Sequence, residues 1–229
     1  GLPYTHSGPL SSMLAMNKNF SKKIFVKNNI KTPSYFFLDK KDFSKGIIKK
    51  EIKKNKLKFP IVVKPNDEGS SIGVNICRDL NSLCNSFNKL RKKYENLIFE
   101  NYIPGKEIQV ANLGNRAIGA IELRPKRKFY DYKAKYKKSS RTEHIMPAEI
   151  SKLKYSEVLR ISQKAYKILK CRGIARCDFR FYKNKFFLLE VNTQPGMTSL
   201  SLVPEIAEYK NISFSQLVNW MVQDASLNR

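Results

Sequence analysis

Residues 174–192 read IARCDFRFYKNKFFLLEVN. Two strand-like runs flank a turn signal at Lys183-Asn184, which reads as an antiparallel hairpin. Alternation puts Arg176, Asp178 and Arg180 on one face and Cys177, Phe179 and Phe181 on the other. If Tyr182 pairs with Phe186 across a three-residue loop, Asp178 stands opposite Glu190 and Arg176 opposite Asn192. Two carboxylates whose Cβ atoms are roughly 5 Å apart repel unless a cation compensates them. One solution is Mg2+ held by the oxygens of Asp178, Glu190 and Asn192. The other is neutralisation by Arg176, Arg180 and solvent on a surface hairpin. The hairpin alone leaves both open.

The 229 residues suffice for one large domain or two small ones, and 41% hydrophobic content supplies a core. No apolar run is long enough to cross a bilayer, and the opening GLPYTHSGPL is neither a signal peptide nor an initiator methionine. The four cysteines, Cys77, Cys84, Cys171 and Cys177, form no CxxC pair, which fits a reducing cytoplasm. A net charge of +25 is compatible with nucleic acid, but the lysines are scattered and read as solvated surface.

Along the chain, residues 17–29 place Phe20, Ile24 and Phe25 at helical spacing, and 44–56 reads as a lysine-rich surface helix. FPIVVKP (59–65), VNICR (74–78) and LIFENYI (97–103) read as strands. Asp79 caps an amphipathic helix carrying Leu83, Phe87 and Leu90, and KEIQVANLG pairs with RAIGAIELRP around Gly114-Asn115. Residues 129–148 read as a long loop, with His144 a solvent-exposed member. Leu153, Val158, Ile161, Ala165 and Ile168 mark a further helix, and Ser213 with Gln216 forms a capping box. The mixture, with antiparallel pairing dominant, gives the class α+β.

PNDEGSSIGV (65–74) lies between two strands, and its successive N–H groups could wrap a phosphate, although it lacks the GK[ST] of a Walker loop. Lys64 ends the strand before it and could add a point charge. On their own, both read equally as a hairpin turn and a strand-end lysine.

Taken in order, MNK (16–18), VVKP (62–65), EGSSIGV (68–74), FENYIPGKE (99–107), FYDYKAKY (129–136), ARCDF (175–179) and LLEVNTQPGMTSLSLVP (188–204) resemble the D-alanine-D-alanine ligase family of the ATP-grasp superfamily. The resemblance spans essentially the whole chain. It implies an ATP-grasp fold, with two α+β lobes of mainly antiparallel sheet clamping ATP. The lobes are expected at 17–101 and 102–229, with 1–16 the remnant of a junction to a further N-terminal domain. Lys18 and Lys64 resemble the phosphate-binding lysines; Glu100, Tyr102, Ile103 and Glu107 match the segment that holds adenine and ribose; Phe129 and Lys135 match further nucleotide contacts. Asp178, Glu190 and Asn192 match ligands of Mg2+ or Mn2+, two ions in all. Arg176 and the N–H of Gly196 match the oxyanion-holding groups, Ser201 and Leu202 contacts to the second D-alanine, and Ser70 with Tyr136 the bonded pair that closes the site. The implied reaction joins two D-alanines at the expense of ATP, for peptidoglycan precursors, in a cytoplasmic homodimer with no membrane or nucleic-acid partner.

Nothing matches the family's first domain, so the chain is expected to start inside the family and to bind Mg-ATP more readily than it makes dipeptide. Lys133 stands where an acid is common, and His6 where glycine is. Tyr136 favours the dipeptide over D-alanyl-D-lactate. Other carboxylate-amine ligases, a degenerate ATP-grasp binding lobe and a basic nucleic-acid-binding protein are the alternatives.

Overall fold

The computed structural model describes residues 1–42, 44–125, 142–198 and 200–227. The first sheet, in the order β1-β4-β2-β3, comprises β1 (Tyr35–Asp39), β2 (Ile61–Pro65), β3 (Asn75–Cys77) and β4 (Asn96–Asn101). The second, in the order β7-β6-β5-β8-β9, comprises β5 (Lys106–Leu113), β6 (Arg116–Pro125), β7 (Thr142–Ile145), β8 (Ile174–Tyr182) and β9 (Lys185–Asn192). Each described pairing is antiparallel.

Strand alternation gives the small sheet one covered and one open face. Phe36, Leu38, Ile61, Val63, Leu97 and Phe99 face helices α3 (Lys45–Lys54) and α4 (Leu80–Leu90), which contribute Ile48, Leu83 and Phe87. Phe36 stacks on Phe99 with ring centroids 4.6 Å apart. Asp79 and Ser82 close a capping box at the start of α4. Lys64 and Glu100 alternate with those core residues and so point to the other side.

The large sheet is covered on one face by α1 (Pro9–Met16), α2 (Lys18–Lys27) and α5 (Lys152–Ile168), where Phe25, Val158, Ala165 and Tyr166 pack against Ile108, Val110, Cys177 and Leu188. On the other face α6 (Leu202–Tyr209) and α7 (Phe214–Asp224) cover Ala111, Ile121 and Leu123 through Val203, Ile206 and Leu217. The capping box of Ser213 and Gln216 opens α7 as the sequence predicts.

Four expectations are corrected. Residues 142–145 are a strand paired with β6, so His144 faces Leu123 in register and bonds Glu205 at 2.7 Å. In α5, Leu153 is 78% exposed while Tyr166, absent from the predicted stripe, is buried. In α2 the inward residues are Lys18, Ser21, Lys22 and Phe25, and Phe20 is 49% exposed. Finally, the β8–β9 turn is two residues long, so Tyr182 pairs with Lys185 and not with Phe186. Lys183 and Asn184 both have positive φ, 46° and 60°, as a tight type I′ hairpin requires.

Candidate nucleotide and metal site

The shorter turn should displace every later pair by one residue, yet Asp178 still faces Glu190 and Arg176 still faces Asn192. A bulge between Asp178 and Phe179 leaves Phe179 opposite Leu188, so β9 gains the missing residue at Leu189. The predicted carboxylate pair is thus present through a different register.

Compensation of that pair is divided. Asp178 accepts two bonds from Arg176, from Nε at 2.7 Å and from Nη2 at 2.9 Å. Glu190 has the Lys18 ammonium at 3.7 Å. The amide oxygen of Asn192 accepts from the Gln194 N–H at 3.0 Å. Among the described residues no three His, Cys, Asp or Glu side chains gather into a metal-holding group. What β8 and β9 offer is two carboxylates and one amide oxygen, a hard donor set that suits Mg2+ or Mn2+ and not a thiophilic metal. Cys177, on the opposite face, is a free thiol that burial pushes up to about 12, so it serves the core.

A cleft separates this hairpin from the open face of the small sheet and encloses about 880 Å³, its mouth included. Of the predicted site residues, Lys18, Lys64, Glu100, Tyr102, Ile103, Glu107, Asp178 and Glu190 all line it. Apolar Val62, Ile72 and Leu189 line it as well. Arg176 and Asn192 sit two register positions beyond, on the same face of the same hairpin. From the glycine loop, Ser71 and Ile72 reach the cleft, and Ser70 lies beside them with φ of 53°.

Lys18 opens α2 and is tied to the base of that loop: its N–H donates to the Asn66 carbonyl at 3.1 Å, and its ammonium donates to the Glu68 carbonyl. Burial lowers the pKa of Lys18, against the pull of Glu190. Lys64 bonds the Glu100 carboxylate, whose other oxygen has Lys22 at 2.8 Å. Burial alone would raise the Glu100 carboxyl, but the Lys22 and Lys64 ammoniums outweigh it and hold it at about 2.

Lys22 is the residue the sequence reading missed. It is fully buried and donates to Thr32 Oγ1 at 2.6 Å. Its signal was available: Lys18, Ser21, Lys22 and Phe25 follow the i, i+3, i+4, i+7 spacing of one helix face.

The substrate-end residues cluster separately. Ser201 Oγ accepts from the Thr198 N–H at 3.0 Å, and a Cβ placed on Gly196 would lie 2.8 Å from that oxygen, so the loop from β9 to α6 is closely packed. Leu202 is buried in the cluster beneath α6. Phe129, Lys135 and Tyr136, with the departure at Lys133, lie outside the described residues.

The chain is similar to known proteins over nearly its whole length. The profile described as "D-ala D-ala ligase C-terminus" matches residues 24–223. A D-alanine-D-alanine ligase of Pelagibacter ubique (strain HTCC1062) is 53% identical over 228 residues, covering 100% of this chain and 74% of that protein. One from Wolbachia pipientis subsp. Culex pipiens (strain wPip) is 43% identical, covering 100% and 71%. The crystal structure of the Bacillus anthracis ligase complexed with ATP superposes with a TM-score of 0.82 at 34% identity, covering 98% of this chain and 70% of that one.

Proposed function

Because this chain belongs to the D-alanine-D-alanine ligase family, we propose that its cleft holds ATP and a divalent metal between two lobes, as the machinery of ATP-dependent ligation of two D-alanines. The function is the ligation step that supplies D-alanyl-D-alanine to peptidoglycan synthesis. The observation that carries the site reading is that one cleft brings Lys18, Lys64 and Glu100 to face Asp178 and Glu190.

In this reading the Lys18 and Lys64 ammoniums take phosphate oxygens, and Glu100, Tyr102, Ile103 and Glu107 receive adenine and ribose, with Phe129 and Lys135 as further contacts. Asp178, Glu190 and Asn192 would hold Mg2+ or Mn2+, two ions by the family's precedent. When bound, the metal neutralises the charge that develops as the γ-phosphoryl group moves. The carboxylate of the first D-alanine takes that group and ADP leaves. The amine of the second then attacks the acyl carbon, loses a proton and expels phosphate.

Arg176 and the Gly196 N–H would steady the tetrahedral oxyanion, donors fixed in advance where charge develops. Arg176 is held for that role by its two bonds to Asp178. Ser201 and Leu202 would meet the second substrate, and Ser70 with Tyr136 would shut water away from the acyl phosphate. The proposed lobes divide at 101/102, between β4 and β5, with 1–16 preceding them. A cytoplasmic homodimer belongs to the same reading, supported by the family's precedent and by Cys77, Cys84, Cys171 and Cys177 as free thiols.

The test is phosphate release and dipeptide formation from Mg-ATP and D-alanine, by this chain and by a form carrying the additional sequence of its relatives. Dipeptide formation by either, abolished by Asp178→Asn, supports the assignment of the site. Equal activity in Asp178→Asn would refute the metal hairpin.

A further inference from the structure

Lys22 projects from α2 into a box with three chemically distinct walls. Glu100 of β4 lies 2.8 Å from its ammonium, the Thr32 hydroxyl accepts at 2.6 Å, and the ring of Tyr35 on β1 has its centroid 5.4 Å away. Tyr35 and Glu100 are direct partners across β1 and β4, so ring and carboxylate stand side by side. A lysine with no exposure, whose ammonium is enclosed by these groups, has no room to approach a nucleotide. Lys64, on the other side of the same carboxylate, lines the cleft directly.

We propose that Lys22 is a positioning residue for the nucleotide site: it is the resident counter-ion of Glu100, which keeps that carboxylate ionised and in place when Lys64 turns from it to a phosphate. The proposal rests on the reading of Lys64 as a phosphate ligand. Its logic is the cost of an unpaired buried charge. With two cations on Glu100, one can leave; with a single cation, its departure strands a buried carboxylate without an ion-pair partner, which would then take up a proton. The charged groups facing Lys22 are Lys18 on its own helix, Lys64 of β2 and Glu100 of β4, with the Tyr35 phenol on β1.

The experiment is calorimetric titration of the whole chain with ATP and Mg2+ in buffers of different ionisation enthalpy, which counts protons taken up on binding. The variants are Lys22→Met, Lys22→Met/Glu100→Gln and Lys64→Met. Unaltered protein should bind without an uptake assignable to Glu100. Lys22→Met should take up about one more proton, and its affinity relative to the unaltered protein should fall about ten-fold per pH unit as pH rises. The double variant should lose that uptake. If Lys22→Met does not fold, Lys22→Gln, which keeps a hydrogen-bond donor to Glu100, gives the same reading. Equal uptake in Lys22→Met and unaltered protein, with ATP binding weakened in Lys64→Met, overturns the role of Lys22 alone. Undiminished binding by Lys64→Met overturns the phosphate-ligand reading and this proposal with it.

Discussion

Asp178 and Glu190 face each other across β8 and β9 even though the connecting turn is one residue shorter than alternation suggests, because the bulge after Asp178 restores the lost residue. A bulge beside the pair also bends β9 locally and turns Leu189 to the cleft wall. The metal-side arrangement therefore depends on an irregularity in the ladder as much as on the carboxylates themselves.

Replacing Asp178 by Asn removes one of the two anionic ligands proposed for the metal, and the carboxylate that takes two bonds from Arg176. Mn2+ affinity in the presence of ATP should fall by more than about 100-fold, since even groups behind a ligand are worth roughly 10- to 100-fold. Titration followed by electron paramagnetic resonance measures this independently of turnover. Affinity within a few-fold of the unaltered protein would remove Asp178 from the ligand set.

Lys64→Met should raise KM for ATP by roughly 10- to 100-fold, the worth of a charge-assisted hydrogen bond of about 1.5–3 kcal/mol. Folding should be little affected, because Glu100 retains Lys22 at 2.8 Å. Initial rates over an ATP series, with a melting curve for each protein, separate the two effects.

Glu100 makes stability fall in acid. Its folded pKa, about 2, is below the ordinary 4.5. The folded state therefore binds fewer protons in that window, and stability present above about pH 4.5 is lost as pH falls toward 2. The full shift corresponds to roughly 3 kcal/mol. In Glu100→Gln this part of the acid slope should be absent. Urea midpoints between pH 6 and pH 3 report it, and parallel slopes in the two proteins would contradict it.

Gly105 joins the strand that ends at Asn101 to β5. Its φ is +94°, and a Cβ there would lie 2.3 Å from the Phe181 carbonyl oxygen. Gly105→Ala should cost about 2 kcal/mol or more through strain and displaced backbone, a fall in Tm of roughly 4–8 °C. Since Ile103 and Glu107 flank it in the cleft wall, ATP affinity should fall as well. An unchanged melting curve would show that the turn relaxes freely.

Legibility followed the strength of the periodic signal. The β8–β9 face was readable because alternation over nine and eight residues constrains it strongly. Its turn was misread because Lys183 and Asn184 adopt positive φ without glycine. Helix α2 was found, but its orientation was not: apolar spacing favoured Phe20, while burial favoured two lysines that pair with Glu100 and Glu190, distant in sequence. The strand at Thr142–Ile145 was hidden in polar sequence because its pairing with β6 is non-local.

Helix α2 keeps Phe25 under one sheet while Lys22 is bonded to a strand of the other. Boundaries drawn along the chain therefore do not mark separable modules. Residues 31–101 expressed alone would contain Lys64 and Glu100 without Lys22, and 17–101 would bring the lysine but leave Phe25 without its apolar neighbours. Chimaeras between relatives should accordingly exchange α2 together with both sheets it touches, since a graft of either sheet by itself inherits half of a mismatched joint.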